Sequence, residues 1–365
     1  MMAAPGSLLS ILKSTGVVVV LGAGGVGKTT SSIVMALLGA RMGRKVALLS
    51  IDPAKRLAAA LGIPLGNQLR RIALPADWGV VAGGSVDAAM LDQKAVFDAM
   101  VQRHAPGDAA AAKILAHPVY KAVSSHLGGP LEYMALAKLQ ELVDDHRYDM
   151  IVLDTPPDTQ ALDFLARPNL LAGFTDHKVM TWLIKPFLMA SRFGLGKLLS
   201  ASEKLMGGIA KVTGMQALQS FAEFLVLMQD VIAGFNKSGE RIVAMLHQED
   251  TRFLLVSVPS AAAVRSGISL LAQLEAEGYS AELLLFNKCL PTKVAFELEQ
   301  PDHVTSPELA LLKKRASGEA RLIAKLTAAA AAGEAPPSLL RLAEEELEIG
   351  NLEAIRTLVD KIAEQ

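Results

Sequence analysis

Cysteine is the scarcest residue in this chain: Cys289 is the only one among 365 residues. A single thiol excludes an intrachain disulfide and any metal site built from several cysteines of one chain. It suits a reducing compartment, and a cytoplasmic protein is expected. Net charge is equally scarce. The 36 Lys and Arg against 37 Asp and Glu leave a formal charge of −1, which removes any bulk attraction to nucleic acid, and no nucleic-acid partner is expected. Long uncharged apolar runs are missing too. None approaches the roughly 18–20 residues that cross a bilayer. The greasiest stretch, Leu170 to Phe235, is broken by Asp176, Lys178, Lys185, Arg192, Lys197 and Lys204, so it reads as soluble or at most membrane-touching. Leu8 to Leu12 follows no basic residue and is too short for a signal peptide. The seven histidines are scattered without metal-ligand spacing, and Lys313-Lys314-Arg315 reads as a solvated basic face.

What is present is material for a core. Half the residues are hydrophobic and a fifth charged, a globular balance. Val17 to Leu21 is a short continuous apolar run, the signature of a strand buried on both faces of a parallel sheet. Lys45–Ile51, Trp78–Ala82, Met150–Leu153, Phe253–Val258, Glu282–Phe286 and Leu339–Leu342 read as further strands. Helical stretches are expected over Lys28–Arg41, Ala88–His104, Ala109–Leu127, Leu131–His146 and Leu352–Ala363. Strand and helix alternate at both ends of the chain, which predicts an α/β fold with a doubly wound, mostly parallel sheet. The middle offers helices only. The expected organisation is a discontinuous α/β core, 1–161 and 249–365, with an all-helical insert at 162–248. There is no internal repeat, and Ala328–Ala332, Gly333 and Pro336-Pro337 read as a surface segment.

Gly22-Ala23-Gly24-Gly25-Val26-Gly27-Lys28-Thr29 fits G-x-x-x-x-G-K-[ST], with a strand before it and a helix after it. Its glycines let backbone N–H groups converge on an anion, and the following helix adds its N-terminal donors. Gly24, Gly25, Val26, Gly27, Lys28, Thr29 and Thr30 are therefore the expected phosphate-binding residues of an ATP site. Lys28 is expected to reach the β- and γ-phosphates, and the Thr29 hydroxyl to serve Mg²⁺, which prefers oxygen. Asp154, closing an apolar strand in Leu153-Asp154-Thr155-Pro156-Pro157, is the expected second metal residue, acting directly or through water. Asp52, in Ile51-Asp52-Pro53-Ala54 at the end of the second strand, stands where ligands lie in a doubly wound sheet and is placed to orient or deprotonate the attacking water.

Together these three elements resemble the family of the arsenical pump ATPase ArsA and the Get-type ATPases that target tail-anchored membrane proteins, related to the MinD, ParA and nitrogenase iron-protein ATPases. The resemblance spans nearly the whole chain. It implies that Asp52-Pro53-Ala54 is switch I and that Asp154-Thr155-Pro156-Pro157 with Leu162-Asp163-Phe164-Leu165 is switch II. It also implies that Asn287 reads adenine, that the segment after Leu342 lies over the base, and that Glu132 stands near a dimer face. ATP hydrolysis would then drive opening and closing of a dimer. Ala23 departs from the family, whose P-loop has a lysine there that crosses into the partner's site. Three routes around the missing cation stay open: Lys55 or Arg56, a lysine-bearing paralogue in a heterodimer rather than a homodimer, or slow hydrolysis. Asp158-Thr159-Gln160 replaces a glycine and histidine of the Get proteins. Cys289 alone supports neither arsenite sensing nor an intersubunit zinc.

In the Get proteins the insert binds apolar client helices. Here it holds Met180, Met189, Met206, Met215, Met228 and Met245, and methionine recurs on adaptable binding surfaces. Leu218, Phe221, Leu225, Met228, Ile232 and Phe235 recur at helical spacing, widened by Phe224, Leu227 and Val231, with Gln219, Glu223 and Asp230 as the polar stripe. Such a helix is covered either by its own core or by a partner helix in a groove, which Trp182 and Phe187 would help to line. The expected partner is a hydrophobic client helix or a membrane protein. The alternatives are an anion-transport accessory ATPase and a regulatory nucleotide-binding subunit with little hydrolysis.

Overall fold

Four valines and a leucine form β1, Val17–Leu21, in which every residue is buried. β-branched side chains fit a pleated surface covered on both faces. The computed structural model describes residues 8–51, 55–126, 131–156, 220–221, 223–291, 307–331, 337–344 and 352–363. β1 lies between β5, Met150–Asp154, and β6, Thr251–Ser257, parallel to both. With β2 (Lys45–Ser50), β3 (Arg70–Arg71), β4 (Ser85–Met90), β7 (Ala281–Cys289) and β8 (Ser338–Ala343) they form an eight-stranded sheet in the order β3-β4-β2-β5-β1-β6-β7-β8. Among the described strands, only the short edge pair β3–β4 is antiparallel. The fold is thus the mostly parallel α/β sheet that the alternation of elements predicts.

The sheet's two faces have separate covers. α1 is Leu8–Ser14, α2 is Lys28–Arg41 and α11 is Leu352–Ala363. Val18 and Val20 of β1 join Ile33, Met35 and Leu37 of α2 in one apolar cluster, which Ile355, Leu358, Val359 and Ile362 of α11 extend at helical spacing. On the other face, Leu255 of β6 lies near Gly267 of α9 (Ala261–Ala276), where Leu326 of α10 (Pro307–Ala330) also packs. A Cβ on Gly267 would stand 3.1 Å from Leu326, so the small residue sets the approach of α9 to α10.

Three expected elements differ from the structure. Trp78–Ala82 is no strand: Ala76–Trp78 is a 3₁₀ turn ended by Gly79 in the left-handed region, with the Trp78 ring buried. The strand lies further on, at β4, where Ala88 and Ala89 belong to the sheet rather than to a helix. Alanine favours helix, but pairing with β2 on one side and β3 on the other decides here. The following helix, α4 (Gln93–His104), starts only after Asp92, whose carboxylate caps the Ala95 N–H at 2.9 Å. The expected helix Ala109–Leu127 is two, α5 (Asp108–Ala116) and α6 (Pro118–His126). Pro118 forces His117 to an extended backbone, and the helix breaks.

The chain divides into two compact units, one of residues 1–91, 138–166 and 245–365, the other of 92–137 and 167–244. The second is helical where described. Its core gathers Val101 of α4, Ile114 of α5, Tyr120 of α6, and Phe224, Met228 and Val231. Phe97 stacks on Tyr120 with ring centroids 5.4 Å apart, and His117 lies 5.4 Å from Phe224. α7 is Leu131–Asp144 and α8 is Gln229–Leu246. No helix among the described residues is long and apolar enough to cross a membrane.

Candidate nucleotide and metal site

β1 ends at Leu21 and α2 begins at Lys28, so Gly22–Gly27 make the turn between a central strand and the helix behind it. Two glycines there are required by geometry. Gly22 has φ 151° and a Cβ would stand 2.3 Å from the Val256 carbonyl oxygen. Gly27, at φ 101°, would place a Cβ 2.3 Å from Nδ2 of Asn287. Neither a left-handed backbone nor such proximity admits a side chain. The Ser31 N–H donates to the Gly27 carbonyl at 2.9 Å, which starts α2.

Lys28 is buried, and its ammonium donates to the Gly22 carbonyl at 2.8 Å and the Ala23 carbonyl at 2.9 Å. The P-loop thus wraps its own cation, which is fixed where the loop is concave. Thr29 donates from Oγ1 to Oδ2 of Asp154 at 3.0 Å. Asp154, at the end of β5, is fully buried. Two further hydroxyls meet its carboxylate: Ser50 Oγ donates to Oδ2 at 2.8 Å, and Ser32 Oγ lies 3.3 Å from Oδ1. Beside it, Thr155 Oγ1 donates to the Val20 carbonyl at 2.6 Å, tying β5 to β1. The oxygen-only set of Thr29 and Asp154 matches what a hard divalent cation takes.

Asn287, in β7, lies against the P-loop: its Nδ2 donates to the Val26 carbonyl at 3.1 Å, and its Oδ1 accepts from the Lys288 N–H at 2.9 Å. Lys288, at φ 55°, borders a cavity of about 360 Å³ also lined by Val258, Ser260, Lys314, Arg315 and Glu319. Arg315 of the basic run is ion-paired to Glu319 at 2.9 Å and Glu344 at 2.7 Å. Cys289 is buried, and burial followed by nearby Glu319 pushes its thiol up to about 12.

The structure therefore brings together Gly22, Gly27, Lys28, Thr29, Asp154 and Asn287, the ends of β1, β5 and β7 and the start of α2. Gly24 and Gly25 are exposed on the turn, Val26 is buried beneath it and Thr30 is half-buried on α2. Asp52 and the segment from Pro157 through Leu165 lie outside the described residues, as do the segment 345–350 and Met180, Trp182, Phe187, Met189, Met206, Met215 and Leu218. Lys55 and Arg56 are exposed at the start of α3 (Arg56–Leu61), with Lys55 at φ 55°. Along the apolar stripe, Phe224, Leu225, Met228, Val231, Ile232 and Phe235 are buried, while Glu223 and Asp230 are exposed. This described part is core. Ser32 and Ser50 are contributors that the sequence does not single out, and Thr155 acts through a bond to β1 that its motif does not reveal. Their only signal is a hydroxyl at the end of a buried strand or one helical turn past the P-loop lysine.

A family model described as anion-transporting ATPase matches residues 15–300. ATPase GET3 of Malassezia globosa is 25% identical over 271 residues, 74% of this chain and 71% of that protein. ATPase get3 of Aspergillus terreus is 30% identical over 206 residues, 55% of this chain and 56% of that protein. ATPase ASNA1 homolog 1 of Paramecium tetraurelia is 31% identical over 153 residues, 41% of this chain and 43% of that protein. The matched stretches thus span about half the length of the last two.

Proposed function

This chain belongs to the anion-transporting ATPase family and is an ATPase; on that premise we propose that it hydrolyses MgATP at Gly22–Thr29 as a nucleotide-driven dimer switch in the cytoplasm. The observation that carries the reading is the meeting of Lys28, Thr29 and Asp154 under a glycine turn, with Thr29 and Asp154 3.0 Å apart. Lys28 leaves its two loop carbonyls, or shares itself with them, to take the β- and γ-phosphate oxygens. Thr29 keeps its O–H on Asp154 and offers a lone pair to the metal. Thr29 and Asp154 would hold Mg²⁺, which would supply positive charge to offset what develops on the γ-phosphate. Asp52 orients the attacking water. The Asn287 amide retains one N–H and one lone pair beyond its present bonds, the pair of groups that adenine N7 and N6 require.

The cycle's output follows the resemblance: the dimer handles an apolar client helix or a membrane-protein partner. Ala23 brings no charge across to a second site, so the missing cation comes from Lys55 or Arg56 or from a lysine-bearing paralogue, or turnover is slow. The family description favours a second reading, an anion-transport accessory ATPase, though a single cysteine, Cys289, does not support arsenite sensing. Steady-state phosphate release by the purified protein, alone and with such a paralogue, with the oligomeric mass recorded in ATP and ADP, tests the proposal. Turnover with a nucleotide-dependent dimer is expected. A monomer in both nucleotides with no turnover would overturn it. Changing Lys55 and Arg56 to alanine without altering turnover would remove the route through them.

A further inference from the structure

We propose that Ser50 is a positioning residue that holds the Asp154 carboxylate for the metal and ties it to the strand leading into Asp52. This rests on the proposed metal role of Thr29 and Asp154. The register of the sheet puts Ser50 beside Asp154: they are Cα partners in the β2–β5 pair, just as Val20 and Asp154 are in β1–β5. Partners in neighbouring strands share a face, so the short hydroxyl reaches the carboxylate without strain. The resulting bond, 2.8 Å to Oδ2, joins a side chain 1% exposed to one fully buried. The Ile51 N–H donates to the Asp154 carbonyl at 3.0 Å, so the backbone ladder persists to the strand ends. Only the Ser50 hydroxyl among these bonds acts on the carboxylate itself.

The three hydroxyls that meet Asp154 among the described residues are unequal. Ser32 has one proton and stands closer to the Lys28 carbonyl, 2.9 Å, than to Asp154, 3.3 Å, so it chiefly back-bonds along α2. Thr29 belongs to the phosphate loop and is itself a proposed metal ligand. Ser50 comes from another strand, β2, and lies outside the phosphate loop in the chain. It steadies a buried anion with a neutral donor, which adds no cation to compete with the metal. With Oδ2 fixed from the β2 side, the Thr29 O–H has a stationary acceptor and its lone pairs stay available to a cation. The same hydroxyl passes any shift of Asp154 on metal binding to β2, two residues before Asp52.

The test is equilibrium ATP binding by the full chain, in Mg²⁺ and in EDTA, read as the ratio of the two dissociation constants. The wild type is expected to bind more tightly in Mg²⁺. Ser50→Ala should cut that ratio by about ten-fold, the weight of one hydrogen bond to a charged group, and leave affinity in EDTA unchanged. Ser50→Thr keeps a hydroxyl and should restore the ratio, while Ser50→Cys, a weaker donor of similar shape, should fall between. A merely structural role would weaken binding equally in both conditions. A Ser50→Ala ratio within about two-fold of wild type overturns the inference. If Ser50→Ala does not fold, equal ratios for Ser50→Cys and Ser50→Thr overturn it instead. Asp154→Asn separates the two claims. Should it keep the wild-type ratio, the metal reading itself fails; should it lose the ratio while Ser50→Ala keeps it, only the role of Ser50 fails.

Discussion

Lys28, Thr29 and Asp154 are held by hydrogen bonds to carbonyls and hydroxyls around a fixed turn, whereas Val101, Phe224 and Val231 of the helical unit are held by apolar contact. The two regions meet substitution differently. A polar site loses its chemistry when one partner goes, because the remaining groups are buried and cannot turn to water. An apolar cluster loses free energy in proportion to the atoms removed and the cavity left. The sheet's ligand edge is thus expected to yield variants that fold but do not work, and the helical unit variants that bind nucleotide but melt early.

The sharpest way to break this contrast is Lys28→Ala. Its phosphate release should fall by about 1000-fold or more, since a preorganised charge on the transferring group is lost, while the protein still folds, its melting temperature lowered by roughly a few °C because two loop carbonyls lose their donor. Gly27→Ala comes next. It adds a methyl at φ 101° and 2.3 Å from Asn287 Nδ2, so the loop or the amide must move, and ATP affinity should drop about 100-fold in equilibrium binding. Phe224→Ala tests the other side. Denaturant unfolding should show a loss of about 3 kcal/mol with ATP affinity nearly unchanged. A large affinity loss there would erase the distinction.

The smallest effect concerns His104, which packs against Gly234 in the helical unit. Burial, then the charge of Arg103, holds its imidazole below the ordinary 6.5. The unfolded chain therefore binds the proton more readily. Stability is complete above 6.5 and declines as pH falls through that value toward the lower folded one. Thermal melts compared between about pH 7.5 and about pH 5.5 should show His104→Gln losing about 1–2 °C less than wild type.

Much of this was legible because buried parallel strands are continuous apolar runs: β1, β2, β5 and β6 stand within a few residues of their expected positions. The glycine turn between β1 and α2 and the place of Asp154 at the end of β5 were legible by spacing. β4 was not, since Ser85–Met90 has a helix-favouring alanine pair and becomes a strand only through its neighbours β2 and β3. The break before Pro118 carried a local signal that helical periodicity masked. Ser50 and the bracing of Val26 by Asn287 had no local signal. They join residues 104 and 261 apart in the chain, and only strand register brings them together.

Asp154→Asn tests most directly whether Asp154 serves a metal in ATP hydrolysis, because the amide keeps the size of the side chain and removes its charge. Phosphate release measured in Mg²⁺ should fall about 100-fold or more, to the level the wild type shows in EDTA, with the protein still folded. Hydrolysis by Asp154→Asn in Mg²⁺ within about three-fold of wild type would contradict the account.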